Sequence, residues 1–229
     1  FQAEQQREST RLARYRFSDA GACARALAYA ALGWAPSDPM DLAGVFITTQ
    51  GSMIHEAWQH AILAEFGEAA AEVEIVVRDG DRGGHIDAVV ETEKMIDATS
   101  TPWKVAIEGK SVGGFRFKKA VGCPPASRTP EGPSYNHVIQ GALGAKAVDA
   151  DELRIIYWTR EAISVEMADR YGFNELGRII AEWTIDRDTF IGIADREIAR
   201  VERVLQIVDG GELPKRVIPD PELPHGHVI

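Results

Sequence analysis

The chain has 229 residues, of which 45% are hydrophobic and 26% charged, and its formal net charge is −10. This length and composition predict one globular domain, and no apolar run approaches the roughly 20 residues that a membrane-spanning helix needs. The negative charge argues mildly against a nucleic-acid-binding protein without excluding one, because carboxylates clustered at a metal site add to the negative sum.

The N-terminal part is predicted to be mostly helical. A loose polar arm over residues 1–16 precedes a helix over about 19–32, for which Ser18 offers a capping oxygen. Cys23 falls in the first turn of this helix, where a small buried hydrophobic side chain is the ordinary interpretation. The only other cysteine is Cys123, so the sequence has no disulfide framework and fits a reducing compartment.

A second helix is predicted after a proline-containing connection at residues 34–41. Its sequence, GSMIHEAWQHAILAEFG, places apolar residues on one face, and Gly67 ends it. His55 lies beside this face, where a histidine is more often a packed or surface residue than a ligand. Its position one helix before the strand of Asp87 makes it a candidate ligand.

An antiparallel hairpin is predicted next. Residues 71–77 and 85–91 alternate as strands on either side of a turn near Gly80. Asp87 lies inside the second strand, where an unpaired carboxylate would be costly to bury. We therefore expect a cation or a hydrogen-bond donor to meet it.

The following strand, WKVAIEGKSV, carries Glu108 and Lys110. These side chains point to the same side because side chains alternate along a strand, and Gly109 leaves room on the other. A Glu-x-Lys pattern alone usually marks a solvated face or an ion pair. Together with Asp87, however, it supplies two hard oxygen ligands for Mg²⁺ or Mn²⁺ and a lysine that can orient a water. The pattern predicts a metal site suited to phosphodiester hydrolysis.

Residues 113–133 are rich in glycine, proline and basic residues, which predicts a long loop or flap beside the site. Basic patches of this kind are more often solvated surfaces than DNA-binding grooves. The flap nevertheless combines charged and aromatic side chains that suit single-stranded DNA, namely Phe115, Arg116, Phe117, Lys118 and Lys119.

The C-terminal part alternates between predicted helices and strands. Ser134 caps a helix through YNHVIQGALGAKAV, and LRIIYWT forms a strongly apolar strand. AISVEMA is predicted as a partner strand, and RIIAEWTID as a further strand. A long helix over 186–209 and an extended proline-rich tail complete the chain.

Four elements in this order resemble the PD-(D/E)XK nuclease superfamily, in particular the RecB-like exonucleases and the CRISPR-associated four-cysteine exonucleases with their phage-encoded relatives. They are GSMIH, GGHID, EGK and a following helix with Gln140, and the resemblance covers about residues 18–145. It implies an α/β fold with a restriction-endonuclease-like core, a mixed central sheet flanked by helices, and an N-terminal helical part. We expect a single nuclease domain over 1–229, with a helical arm (1–50), a catalytic core (51–160) and C-terminal strands, long helix and tail (161–229).

The resemblance also implies roles for individual residues. His55, Asp87 and Glu108 would hold the metal, and the carbonyl of Gly109 or of Ser111 would complete its coordination. Lys110 would position the attacking water, and Gln140 would fix Lys110 or the DNA end. DNA contacts are expected from Arg116, Lys118, Lys119 and Tyr135.

Two departures from the family pattern matter. The last motif is often Gln-x-x-x-Tyr, whereas Gly144 stands four residues after Gln140. The four-cysteine branch holds an iron–sulfur cluster with one N-terminal and three C-terminal cysteines. Cys23 matches the first of these, and the other three are absent from this sequence. Since a cluster as a rule needs four ligands, we expect one only if a C-terminal cysteine segment is missing from this chain.

The resulting prediction is a Mg²⁺- or Mn²⁺-dependent DNA exonuclease that acts on single strands or duplex ends, in phage recombination or repair or in CRISPR adaptation. A non-catalytic DNA-binding adaptor with a nuclease fold is the second hypothesis, although intact Asp87, Glu108 and Lys110 argue against it. A structure-specific endonuclease is the third. Expected partners are DNA and either further copies of the chain or a recombination or CRISPR adaptation protein, with no membrane. The expected location is the cytoplasm of a bacterium or a phage-infected cell.

Overall fold

A computed structural model describes residues 13–35, 40–96 and 99–215. Much of the predicted N-terminal arm, the middle of the connection at 34–41 and most of the C-terminal tail lie outside these residues. The described strands are β1 (Tyr15–Arg16), β2 (Ala71–Asp79), β3 (Arg82–Ile96), β4 (Thr99–Val112), β5 (Glu152–Thr159) and β6 (Ile180–Asp186). The described α-helices are α1 (Ala24–Ala31), α2 (Leu42–Phe66), α3 (Gly114–Val121), α4 (Tyr135–Ala147), α5 (Val165–Tyr171) and α6 (Arg187–Asp209).

The described strands form one six-stranded mixed sheet, which agrees with the mixed central sheet that the family resemblance implies. Its strand β1 lies in the predicted loose arm, so that prediction is wrong at Tyr15–Arg16. The strand order is β1–β3–β4–β5–β6, with β2 on the other edge of β3. The β1–β3 and β4–β5 pairs are parallel and the remaining pairs are antiparallel. Gly80, at a φ of 57°, lies in the tight turn between β2 and β3, which glycine adopts without steric cost. The predicted α/β fold is therefore confirmed.

One edge of β3 changes partner part of the way along the strand. Its pairing with β4 ends at Ala88 opposite Ile107, and nearer its start the same edge pairs with β1. Strands β3 and β4 therefore separate between Asp87 and Glu108. We call this point the strand fork.

Helices cover both faces of the sheet. On one face, α2 packs over a small core, and on the other, α1, α4 and α6 pack over a larger one. Ala88, Val90, Val105, Ile107 and Ile62 of α2 belong to the smaller core. Ile86, Ala106, Ile155, Tyr157, Ile139, Leu143 and Phe190 belong to the larger. Side chains alternate between the two cores along β4 and along β3 from Ala88 onward, whereas Ile86, two residues before Ala88, belongs to the larger core.

Two predicted elements differ in the structure because of helix capping. The first helix begins later than expected, since Cys23 is its N-cap and its sulfur accepts the Ala26 amide. The predicted strand AISVEMA is wrong, because from Val165 onward it forms the start of α5, whose N-cap Ser164 accepts the Met167 amide. A hydroxyl that satisfies a first-turn amide favours a helix, which a short apolar run cannot distinguish from a strand.

The predicted flap over residues 113–133 is also only partly correct. Its first third forms α3, which ends at Gly122 with a φ of 74°. Phe117 is fully buried on the inner face of this helix, so the expectation that it handles single-stranded DNA is wrong.

Within the described ranges, no helix is long and apolar enough to cross a membrane.

Candidate metal and catalytic site

The Asp87 side chain crosses the strand fork. Its Oδ2 accepts the Gly109 amide hydrogen at 2.8 Å, in place of the backbone carbonyl that would bind this amide in a continuous sheet. A strand residue directs its N–H and C=O toward the same neighbouring strand, so the Gly109 carbonyl also faces the fork. The Ser111 carbonyl, two residues along, faces the same edge. The Asp87 carboxylate thus lies at the fork, and strand geometry directs two carbonyls of β4 toward the same edge.

On the α2 side of the sheet, Asp87 is paired with His55. The distance from His55 Nδ1 to Asp87 Oδ1 is 3.3 Å. The ring of Trp158 lies edge-on to His55, with 5.3 Å between ring centroids. A Cβ atom on Gly109 would come within 2.6 Å of the Trp158 ring. Glycine is therefore needed between Glu108 and Lys110 for the indole to lie against β4.

On the α4 side, Glu108 and Lys110 form a buried ion pair. Lys110 Nζ lies 2.5 Å from Glu108 Oε1 and donates to Gln140 Oε1 at 3.1 Å. Helix α4 crosses close above the strands at Gly141, where a Cβ atom would lie 3.2 Å from the Glu108 Cβ. This close crossing brings Gln140, the neighbour of Gly141, to the lysine.

The charges at the fork shift one another's ionisation. Burial raises the pKa of Glu108, and the nearby Asp87 raises it further, while Lys110 opposes both. Burial alone would lower the pKa of Lys110, but the carboxylates of Glu108 and Asp87 raise it above its usual value. The lysine is therefore a charged ammonium at neutral pH. Such a charge, fixed by two carboxylates, suits contact with a phosphate.

The donor set fits a hard divalent cation only in part. Glu108 is 2% exposed, and its Oε1, although in ion-pair contact with Lys110, accepts no well-aligned hydrogen bond. A buried carboxylate oxygen in this state suits a cation. Within the described ranges, however, no group of three or more His, Cys, Asp or Glu side chains is placed to hold a metal ion. Magnesium is commonly held by one or two carboxylates with waters and substrate phosphates, and Asp87 and Glu108 match that pattern.

The predicted DNA contacts lie on and beside α3. Arg116 and Lys119 both pair with Glu131, at 3.4 and 3.2 Å. Lys119 also lies 6.0 Å from the centre of the exposed Phe115 ring. Tyr135 is 61% exposed at the start of α4, and Lys118 is half-buried. Two of the three expected cations are thus neutralised by a carboxylate from the segment that follows α3.

Cys23 is exposed and serves as a helix cap, while Cys123 is buried. Burial raises the pKa of the Cys123 thiol, which disfavours its reactive thiolate form. The iron–sulfur cluster remains a prediction for a chain that has a C-terminal cysteine segment.

The structure adds two residues that the sequence interpretation missed. Tyr157 lies opposite Lys110 in the β4–β5 pairing. Its hydroxyl oxygen accepts the Ser134 amide at 2.7 Å and lies 2.6 Å from His137 Nδ1. His137 precedes Gln140 by three residues, so both lie on one helix face. That spacing was visible in the sequence and could have placed His137 beside the site.

Solved exonuclease structures resemble this chain at low sequence identity. An alkaline exonuclease from Laribacter hongkongensis matches with a TM-score of 0.56 and 11% identity, over 91% of this chain and 93% of that chain. The same exonuclease in complex with dAMP matches with a TM-score of 0.54 and 12% identity, over 88% and 90%. A phage-related exonuclease from Haemophilus somnus matches with a TM-score of 0.48 and 14% identity over 82% of each chain.

No family model and no curated protein matches the chain. At these identities the two matches to the alkaline exonuclease speak to fold alone. They agree with the restriction-endonuclease-like core that the sequence motifs imply.

Proposed function

We propose that this chain, which has the fold of an alkaline exonuclease, is a metal-dependent deoxyribonuclease that degrades DNA from single strands or duplex ends. The observation that carries the proposal is the arrangement of Asp87, Glu108 and Lys110 at one strand fork, where two carboxylates and a charged lysine meet. Phosphodiester hydrolysis needs such a set, because charge on the phosphate oxygens must be offset while a water is activated.

Asp87 and Glu108 are the proposed ligands of Mg²⁺ or Mn²⁺. His55 is the proposed nitrogen ligand, and the carbonyl of Gly109 or of Ser111 the proposed strand ligand. When bound, a divalent ion lowers the pKa of a coordinated water and offsets the negative charge of the phosphate.

The side chains of the chain itself hold and orient the reacting groups. Lys110, kept charged by Glu108, would orient the attacking water and offset charge on the phosphate. Gln140 accepts a hydrogen bond from the ammonium and so limits its orientations. The Gly109 amide and His55 fix the two oxygens of Asp87 from opposite sides. These contacts are formed before DNA binds, which reduces the reorganisation that the reaction requires.

The exposed residues beside the fork are the proposed DNA contacts. Arg116, Lys118 and Lys119 would bind phosphates, and Tyr135, with the exposed Phe115, would stack on bases. The alkaline exonuclease with a similar fold has been solved with dAMP, which supports a nucleotide-containing substrate for this chain too. Phage recombination or repair and CRISPR adaptation are the proposed settings, with a homo-oligomer or a partner protein from those pathways.

A DNA-binding adaptor without activity is the second candidate. The observation in its favour is that the described residues include no ready three-ligand metal cluster. Lys110 also contacts the carboxylate oxygen of Glu108 that a metal would take. In this reading the fork would be a stable buried ion pair rather than a catalytic site.

Degradation of linear DNA labelled at one end separates these functions. We expect the parent protein to degrade linear DNA, but not closed circular DNA, in Mg²⁺ or Mn²⁺. We expect no degradation in EDTA, and none by Lys110→Ala in either metal. The matched control is Lys94→Ala, whose ammonium lies over the Trp103 ring toward the far end of β3, and we expect it to keep the parent activity. Cleavage of circles would favour an endonuclease. DNA binding without cleavage in either metal would favour the adaptor.

A further inference from the structure

The hydrogen bonds around Tyr157 determine which ring nitrogen of His137 carries the proton. Tyr157 is fully buried, and burial raises the pKa of its hydroxyl, so the hydroxyl keeps its hydrogen. Its oxygen already accepts the Ser134 amide. Within the described part of the chain, the acceptor for the hydroxyl hydrogen is His137 Nδ1, at 2.6 Å.

This arrangement makes the other nitrogen of His137 a donor. Burial, together with the nearby positive charges of Lys110 and Arg116, lowers the pKa of His137 to about 4, so the ring is neutral at neutral pH. A neutral imidazole that accepts at Nδ1 carries its hydrogen at Nε2. Nε2 has no hydrogen-bond partner among the described residues, and the His137 side chain is partly exposed.

The neighbours of this donor suit an anionic ligand. Lys110 and Arg116 are both close enough to influence the His137 ring, and Lys110 belongs to the fork. Tyr157 sits directly across from Lys110 in the sheet, and Gln140, one helical turn from His137, binds Lys110. A ligand bound at Lys110 would therefore lie close to His137, a donor that stays neutral because of its burial and the two neighbouring positive charges.

We infer that His137 is a further DNA-contacting residue, whose Nε2–H donates to a phosphate oxygen of the strand held at the fork, with Tyr157 fixing the tautomer that makes it a donor. The inference rests on the proposed function in that the ligand is DNA. His137 carries no charge of its own, so its contact with the phosphate depends on its position and its tautomer. This contact is therefore less sensitive to salt than the contacts made by lysines.

Two substitutions separate this role from a purely structural one. In His137→Asn the side-chain oxygen takes the place of Nδ1 and keeps the Tyr157 hydrogen bond, but the donor at the Nε2 position is lost. In His137→Gln the amide nitrogen reaches the position of Nε2 and restores a donor there. The probe is a fluorescently labelled single-stranded oligonucleotide, with binding measured in EDTA so that no cleavage occurs.

We expect the Kd to rise about tenfold for His137→Asn and to stay within about threefold of the parent for His137→Gln, as the loss of one hydrogen bond predicts. In Mg²⁺, the asparagine variant should show the same rise in KM with kcat within about twofold of the parent. The inference would be overturned if both variants bound the oligonucleotide equally weakly, or if the asparagine variant bound it as tightly as the parent.

Nitrogen NMR of the parent tests the tautomer without DNA. We expect Nε2 to be protonated and Nδ1 unprotonated in His137 at neutral pH, and the opposite assignment would overturn the inference. A parent that binds the oligonucleotide but does not cleave it would overturn the proposed nuclease activity alone, because the binding comparison still tests His137. A parent that does not bind it would overturn both.

Discussion

At the strand fork Glu108 is buried, and Asp87 and Lys110 are partly buried with partners on more than one element. On α3, in contrast, Arg116 and Lys119 lie nearer the surface and share one carboxylate. Lys110 is held between Glu108 and Gln140, from β4 and α4. Arg116 and Lys119 both pair with Glu131, although Arg116 also interacts with the Tyr157 hydroxyl. The first arrangement is fixed before DNA arrives, and the second must be broken for the cations to reach phosphates.

The difference suggests a division of labour. Buried ion pairs are costly to assemble but strongly coupled, so a fork of this kind suits chemistry that depends on position. Exposed ion pairs contribute little stability and exchange partners readily, which suits a surface that binds and releases a moving DNA strand. Substitutions at the fork and on α3 test these two roles separately.

The largest effect is expected from Glu108→Gln. Glutamine keeps the size of the side chain and an oxygen for Lys110, but removes the negative charge that a cation requires. We expect the rate of DNA cleavage in Mg²⁺ to fall by about 10² to 10³, a range typical of losing one such group. Single-turnover cleavage measures this, and binding in EDTA should stay at the parent level. A variant that retains more than about a tenth of the parent rate would rule out Glu108 as a ligand.

Gly109→Ala should disturb the packing of the fork. The new methyl group would come within 2.6 Å of the Trp158 ring, so one of the two must move. We expect a loss of about 1–3 kcal/mol in the free energy of unfolding, as for other overpacked sites. Denaturant unfolding measures it, and Trp158→Phe is the matched background, in which the smaller ring should relieve part of the loss. An equal loss in both backgrounds would show that the indole is not the cause.

A pH effect on stability is expected from His137. Its pKa is lowered from 6.5 to about 4 in the folded chain, so the unfolded chain takes up a proton first as the pH falls. The stability that this histidine contributes is therefore complete above pH 6.5 and is lost as the pH falls toward 4. Tm measured across this range should fall more steeply for the parent than for His137→Asn. Parallel curves would contradict the lowered pKa.

The smallest effect is expected from Glu131→Gln on the α3 surface. Without the carboxylate, Arg116 and Lys119 are free to bind phosphates, and the surface becomes more positive. We expect DNA affinity to rise about two- to threefold, as for the loss of exposed ion pairs, with a steeper dependence on salt. Binding titrations at several salt concentrations measure both. Glu202→Gln is the control, since Glu202 pairs with Arg82 of β3. An unchanged salt slope would exclude α3 from the DNA-binding surface.

Much of the fold was predictable because it depends on local patterns. The alternation of apolar residues around Asp87 and Glu108 predicted β3 and β4, and Gly80 predicted the turn before them. The boundary of α1 and the helix α5 were not predictable from apolar pattern, because single capping residues decide them.

The sequence predicted which residues form the candidate site, but it did not predict which residues those side chains contact. Motif order placed Asp87, Glu108, Lys110 and Gln140 in one group, and the structure brings them together, while their roles stay predictions. The pairing of Glu131 with Arg116 and Lys119 depends on how the segment after α3 folds back, which no local pattern records. The contact between His137 and Tyr157 joins a helix to a strand 20 residues away, and it too is set by packing.

The central claim is that the strand fork binds a divalent cation through Asp87 and hydrolyses DNA there. Single-turnover cleavage of end-labelled linear DNA by Asp87→Asn, compared with the parent across a Mg²⁺ titration, tests it most directly. Asparagine keeps an oxygen to accept the Gly109 amide, so the fork should stay folded while it loses the carboxylate charge. We predict Mg²⁺-dependent cleavage by the parent and a rate lower by about 10² for the variant at every Mg²⁺ concentration. Cleavage by Asp87→Asn at the parent rate and Mg²⁺ dependence would contradict the claim.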